Sequence, residues 1–190
     1  MTDVSRETFE PYVELLLKWN QKINLVSKKC TKEEIWDRHI CDSAKLFYSI
    51  DRDDTLIDIG SGAGFPGIIL SIMGIDEVTL IESDARKAAF LLQASKISKN
   101  KVIILNKRVE DLELKCDILT SRAFSSVSKI LEICKNISVR KKILLLKGEK
   151  ATEEIDEALK IWSFKYRIYG NGVVEINYDN SDCKPKRRRG

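Results

Sequence analysis

The chain's apolar residues follow two periods, and the change from one to the other falls near residue 53. Before it, Phe9, Tyr12, Val13, Leu16, Leu17, Trp19 and Ile23 recur at helical spacing, which predicts an amphipathic helix from Phe9 to Ile23. A second helix is expected between Thr31 and Tyr48, opened by Thr31 and Glu34 at the spacing of a capping box. Asp51 to Asp54 break the pattern. Beyond them short β-branched runs alternate with helix-length segments: TLIDI, FPGIILSIM, EVTLIE, ARKAAFLLQASKI, KVIIL, CDILTS, the segment from Ser125 to Asn136, and KILLLK. Strands of this kind, apolar on both faces, belong to a parallel sheet covered by helices, so the middle of the chain is expected to be doubly wound α/β. The last segment, SFKYRIYGNGVVEINY, places Asn171-Gly172 between two β-rich runs, the signature of a tight antiparallel hairpin. A dinucleotide-binding domain does not usually end that way. The organisation expected is an N-terminal helical extension over 1–52, an α/β domain over 53–180 and a basic tail over 181–190.

Composition narrows the class. At 190 residues, with 43% hydrophobic and 33% charged positions, the chain fits one soluble globular domain with short appendages. No run approaches the roughly 18 apolar residues of a membrane span, and MTDVSRETFE is too polar for a signal peptide, so a cytoplasmic protein without membrane attachment is expected. Five cysteines, odd in number and without metal-ligand spacing, fit a reduced, metal-free protein. The net charge of +4 is local: KPKRRRG at the end holds five positive charges and no acids, which leaves the rest at −1. Such a tail is expected to be solvated, with nucleic-acid contact as its sharper reading.

Candidate chemistry gathers after the first strand, in LIDIGSGAGFPGIIL. Gly60, Gly62 and Gly64 follow TLIDI directly, and Pro66 suits the first turn of the helix expected to start near Phe65 or Pro66. A turn without side chains lets a ligand approach the main chain, and a helix start offers unpaired N–H groups. Two ligands compete. Gly62, Gly64 and Gly67 spell the dinucleotide pattern G-x-G-x-x-G. Asp58 with Gly60, Gly62 and Gly64 spells D-x-G-x-G-x-G, which resembles the first motif of class I S-adenosylmethionine-dependent methyltransferases. Glu82, 20 residues after Gly62 at the end of EVTLIE, could accept hydrogen bonds from both ribose hydroxyls of either ligand. Asp58 favours the methyltransferase, since a carboxylate in the loop repels a pyrophosphate and tolerates a zwitterionic methionine end. The plainer alternatives are a helix cap for Asp58 and a solvated strand end for Glu82.

WNQKINLVS, RHICDS, DIGSGAGFPGI, ESDARKAAFL, RVED, SRAF and LLLKG occur in the order found in the bacterial 16S ribosomal RNA guanine-N(7) methyltransferases, the glucose-inhibited division protein B family. The chain resembles that family from about Trp19 to Gly148. The resemblance implies a class I, Rossmann-like methyltransferase sheet, transfer of methyl from S-adenosyl-L-methionine with S-adenosyl-L-homocysteine as product, and 16S RNA or the small ribosomal subunit as partner of a monomer. It implies cofactor contacts at Gly60, Phe65, Val109, Glu110 and Arg122, with Glu82 as the acid ending the second strand. Arg122 and Lys147 fall on basic positions near cofactor and target base and are the catalytic candidates. His39, Asp42 and Ser43 lie in the helical signature RHICDS, with an architectural role expected. The chain stops at Gly190 and has Asn171-Gly172-Val173 where the family often has an arginine, which puts its C-terminal substrate contacts in question.

The chemistry suits so short a set of polar residues. Guanine N(7) carries an in-plane lone pair and needs no general base; alignment and exclusion of water would carry catalysis. Arg122, Lys147 and Arg108 could grip phosphates or the O(6) and N(7) edge. Lys28, Lys29 and Lys32, and Arg140 to Lys142, are further candidates for phosphate contact. Two other readings stand beside this one: an NAD-dependent oxidoreductase and an inactive RNA-binding module.

Overall fold

Ser5 caps the first helix, its hydroxyl accepting the Thr8 N–H, and α1 (Arg6–Asn20) follows. The structure, a computed structural model, describes residues 5–170, 172–178 and 183–186. α1 starts and ends three residues earlier than its periodicity predicts. Its end is set by Asn20, whose Oδ1 accepts the N–H groups of Leu25 and Val26 at 2.9 and 3.0 Å and so turns the chain. The capping box forms as expected: Thr31 Oγ1 accepts the Glu34 N–H at 3.1 Å, and the Glu34 carboxylate accepts the Thr31 N–H at 3.0 Å. The helical segment it opens changes pitch, from α2 (Lys32–Glu34) through a π-helical stretch (Ile35–Ile40) to α3 (Cys41–Ala44) and a 3-10 stretch (Lys45–Ser49).

The α/β part then alternates as its runs predict. β1 (Thr55–Ile59) leads to α4 (Gly67–Met73), β2 (Glu77–Ile81) to α5 (Ala85–Ala94), and β3 (Lys101–Leu105) to a short 3-10 turn (Val109–Asp111). β4 (Leu114–Arg122), α6 (Val127–Ile133) and β5 (Ile137–Leu146) follow. The pattern assigns nothing between Lys147 and Ser163; the structure places α7 (Ala151–Ile161) there, then β6 (Trp162–Ser163). The hairpin forms from β7 (Lys165–Tyr169) and β8 (Val173–Asn177). Its positive φ angles are carried by Gly170 and Gly172, at +55° and +79°, while Asn171 lies outside the described residues. The basic tail begins as structure: β9 (Lys184–Pro185) pairs with β6, and Arg187 to Gly190 lie outside the described residues.

The main sheet has the order β3-β2-β1-β4-β5-β8-β7, parallel throughout β1 to β5, with β8 antiparallel to both neighbours. Alternate strand residues enter two cores. Leu56, Val78, Leu80 and Leu144 face α4, α5 and the N-terminal helices, so Phe9, Tyr12, Val13 and Leu16 share one apolar cluster with the sheet. Ile57, Ile59, Ile81, Leu119, Ile143 and Leu145 face α6 and α7. Burial on both sides is why these strands read as unbroken apolar runs. Among the described residues no helix is long and apolar enough to cross a membrane.

Candidate active site

The glycine-rich turn leaves the carboxyl end of β1, at the centre of the sheet, between β2 and β4. Gly60, Gly62 and Gly64 take φ values of +66°, +54° and +89°, a region that costs other residues about 1 kcal/mol or more. The turn is held from three sides. Gly60 and Ser61 donate to the Ile81 carbonyl at 2.9 and 3.1 Å, Ser61 Oγ donates to the Asp58 carbonyl at 2.9 Å, and Tyr12 of α1 donates its buried hydroxyl to the Ala63 carbonyl at 2.6 Å.

The expectation that the helix start offers free N–H groups does not hold for Gly67 and Ile68. Gly67 opens α4 by donating to Asp58 Oδ2 at 3.3 Å, Ile68 donates to Gly64 at 2.8 Å, and Gly64 donates to Ser61 at 2.6 Å. Gly62 donates to Glu82 Oε2 at 2.8 Å. The loop spends these donors on itself, because its tight turns bring its own carbonyls and carboxylates within reach.

Six of the residues singled out from the sequence come together. Gly60, Gly62, Glu82, Arg108, Val109 and Glu110 line one cavity of about 280 Å³, together with Lys87 and Phe124. Glu82 is 7% exposed, its Oε1 accepting the Asp84 N–H at 2.8 Å. A Cβ on Gly62 would meet only the Gly60 carbonyl, at 3.8 Å, so that side of the loop is open to the cavity. A Cβ on Gly60 would instead strike the Phe124 ring at 2.1 Å.

The other predicted residues stand elsewhere. Asp58 is fully buried beneath the loop, and burial pushes its carboxyl well above the usual range. It is therefore the cap of α4 and not a charge facing the ligand, which removes the electrostatic reason for favouring a methionine end at that position. Gly64 is closed in by Ile68 and Leu91. Phe65 is 6% exposed, stacked on His39 with centroids 4.8 Å apart and edge-on to Tyr12 at 5.5 Å. Arg122, the last residue of β4, turns toward the same ring, with Cζ 6.0 Å from its centroid. Arg122 Nη1 and His39 Nδ1 are buried without a hydrogen-bond partner among the described residues. Burial, then Arg122, push the His39 pKa down to about 4, so the ring is neutral. Lys147 lies in an adjoining cavity, its ammonium bonded to the Ser125 carbonyl and paired with Glu154. Phe124, Tyr12 and Glu154 complete the region. SRAF could have pointed to Phe124, two residues after Arg122, but nothing local marks Tyr12 or Glu154.

The donor set tests which ligand fits. A pyrophosphate needs loop N–H groups, and here several of them are engaged, with the Glu82 carboxylate seated on one. An anion there would meet like charge. A nucleoside fits better: the open face at Gly62 accommodates its approach, and Glu82 keeps lone pairs for ribose hydroxyls.

Comparison with known proteins agrees. Residues 5–173 match the family GidB, rRNA small subunit methyltransferase G. The chain is 51% identical over 178 residues to "Ribosomal RNA small subunit methyltransferase G" of Rickettsia prowazekii (strain Madrid E), covering 90% of this chain and 93% of that protein. It is 50% identical over 171 residues to the protein of the same name from Orientia tsutsugamushi (strain Ikeda), covering 88% and 86%. Among solved structures it resembles magnesium protoporphyrin IX methyltransferase (ChlM) from Synechocystis PCC 6803 with bound SAM, at a TM-score of 0.62 and 11% identity over 88% of this chain and 97% of that one. That likeness shows the fold, a methyltransferase sheet ending in an antiparallel hairpin. On the family match and these relatives, the chain belongs to the GidB family, rRNA small subunit methyltransferase G.

Proposed function

We propose that this chain transfers a methyl group from S-adenosylmethionine to N(7) of a guanine in 16S ribosomal RNA, acting as a monomer in the cytoplasm. The observation that carries the reading is the cavity at the carboxyl ends of β1 and β2, where Gly62 is open and Glu82 sits at the rim, in a chain of this family. Glu82 would hold the ribose, Gly62 would let the nucleoside approach the main chain while Gly60 admits the Phe124 ring, and Val109 and Glu110 would flank the base. Arg122, with a buried nitrogen lacking a partner among the described residues, is the proposed contact for the methionine carboxylate. Phe65 supports Arg122 from below. When bound, S-adenosylmethionine supplies an electrophilic methyl on a cationic sulfur.

The chain needs to do little beyond positioning. Guanine N(7) bonds the methyl carbon through its own lone pair, the S–CH3 pair returns to sulfur, and no proton leaves in the step. That agrees with a site whose only histidine, His39, is neutral and stacked on Phe65. Titration with S-adenosylhomocysteine and with NAD tests the pocket: micromolar binding of the first and none of the second is expected, and the reverse would refute the reading. Labelled cofactor with unmethylated small-subunit RNA tests the reaction, since an inactive RNA-binding module would transfer no label. Arg122→Ala is expected to reduce transfer more than stability, and wild-type turnover in that variant would remove Arg122 from the site.

A further inference from the structure

Beside the loop cavity lies a second one, of about 310 Å³, where the ends of β4 and β5 meet the start of α7. Phe124 lines both cavities, so a single aromatic ring stands at their boundary. Lys147 and Glu154 form an ion-paired part of the second cavity's polar lining, to which Ser125 and Lys150 also belong. Lys147 Nζ and Glu154 Oε2 are 2.9 Å apart, and the two side chains are 4% and 26% exposed. The hairpin positions this pair, since the N–H groups of Lys147 and Gly148 both donate to the Gly172 carbonyl, at 3.0 and 3.2 Å.

Burying a lysine is costly, and an ion pair rarely repays that cost through stability alone. The bonds around this pair leave capacity at its face. The ammonium has three protons, of which the Ser125 carbonyl and Glu154 take two. Glu154 receives both Lys147 and the Val127 N–H, the latter at 3.2 Å, on the same oxygen, Oε2. The pair therefore presents a donor beside carboxylate acceptors. Guanine is the RNA base whose Watson–Crick edge answers that order, with O(6) as acceptor followed by the N(1)–H and N(2)–H2 donors. Adenine would turn a donor and then a bare lone pair to the same two side chains, and uracil would end in a second acceptor. A flipped base read on this edge against an aromatic side chain is a common arrangement where enzymes modify nucleobases.

We propose that this second cavity receives the target guanine and that Lys147 and Glu154 read its Watson–Crick edge, with Phe124 set between the base and the cofactor cavity. N(7) lies at the far end of the purine from the N(2) amino group. Holding N(2) at Glu154 thus turns N(7) back toward Phe124 and the cavity of Gly60, Gly62 and Glu82. The inference rests on the methyltransferase reading above and adds how the base is selected.

The test compares two RNAs, one with guanine and one with inosine at the position that wild-type enzyme labels. Inosine lacks only the N(2) amino group. Wild-type kcat/KM is expected to favour guanine by about tenfold or more. Glu154→Gln is expected to lose most of that preference through a slower reaction on guanine, while S-adenosylhomocysteine affinity stays close to wild type and the melting temperature falls, since the buried Lys147 loses its charged partner. If Glu154 only anchors Lys147 and α7, both RNAs slow together and the ratio is unchanged, which overturns the proposal. A wild-type enzyme that does not distinguish the two RNAs overturns it as well. Should Glu154→Gln fail to fold, Glu154→Asp, which draws the carboxylate back, enters the same comparison with the same expected loss of ratio. Failure of the underlying reading looks different, since no guanine RNA would then be labelled at all.

Discussion

Gly62 and Gly67 belong to the same loop, yet their missing side chains serve different ends. Gly62 has a φ of +54° with open space where a Cβ would stand, whereas a Cβ on Gly67 would lie 2.3 Å from Leu80 and 2.9 Å from Asp58 Oδ2. Gly62→Ala should therefore fold, at a cost of about 1 kcal/mol from the left-handed backbone. Its methyl projects into the ligand's side of the loop, and affinity for S-adenosylhomocysteine is expected to fall tenfold or more, roughly 1.4 kcal/mol or above. Gly67→Ala should do the opposite, overpacking the seat of α4 on β1 and β2 by about 1–3 kcal/mol and lowering the melting temperature by several degrees. Calorimetric titration and thermal denaturation of the two variants separate the roles; unchanged affinity in Gly62→Ala would place the ligand elsewhere. His39 adds a pH signature. In the folded chain its pKa is near 4, lowered first by burial and then by Arg122, with Asp42 and Glu34 opposing and Arg38 assisting. The unfolded chain protonates it near 6.5. Only the unfolded state gains a proton between those values, so this contribution to stability is complete above about pH 6.5 and is lost as pH falls toward 4. Asp58, whose carboxyl burial pushes upward, slopes the other way, which makes the difference between wild type and His39→Gln the informative quantity. Urea midpoints from pH 7.5 to 4.5 should fall more steeply for wild type than for His39→Gln, and parallel curves would contradict the assigned neutral ring.

The decisive element is α1. It covers the sheet with Phe9, Val13 and Leu16, and it also reaches the loop, where Tyr12 fixes Ala63 and packs edge-on against Phe65. Tyr12→Phe leaves the Ala63 carbonyl without this partner in a buried setting, a loss of about 1–2 kcal/mol. Lower thermal stability together with weaker S-adenosylhomocysteine binding is expected; a loss of stability alone would mean that the loop keeps its shape without α1. The existence and buried face of this helix were legible because Phe9, Tyr12, Val13 and Leu16 are large and recur at helical spacing. α7 was written in the same way, with Ala151, Ile155 and Ala158 buried at helical spacing among acids, although smaller residues carry its stripe and the sequence reading leaves the segment unassigned. The π-helical stretch from Ile35 to Ile40 was silent, since pitch answers to packing and hydrogen bonding that a residue pattern does not specify.

At the scale of the whole molecule, the fold sorts the basic residues. Lys22, Lys28, Lys87 and an Arg86 paired with Asp84 line one groove between α1 and α5, and Lys87 also borders the cavity of Gly62 and Glu82. Lys32, by contrast, is paired with Glu10, Arg140 with Asp117, Lys141 with Asp51 and Asp54, and Lys142 with Glu175. Asp54 precedes β1 and Asp117 lies early in β4, so these strand-borne pairs lie well back from the carboxyl ends that carry the site. Lys28→Ala should weaken RNA binding and reduce the slope of log affinity against log salt by about one, while Lys141→Ala leaves the slope unchanged. Binding measured from about 50 to 200 mM salt distinguishes them, and a slope change in Lys141→Ala alone would move the RNA to the other end of the sheet. By itself the sequence determined the alternation of strands and helices, the side-chain-free turn after β1 and the acid at the end of β2. Those features are written in the size, polarity and backbone freedom of neighbouring residues. Only the tertiary structure decided that Asp58 caps a helix, that Glu82 grips the loop, that Tyr12 reaches Ala63 and that Lys147 meets Glu154 beside Phe124. Each of these depends on how the packed chain places and buries a polar group, and local pattern carries no record of that.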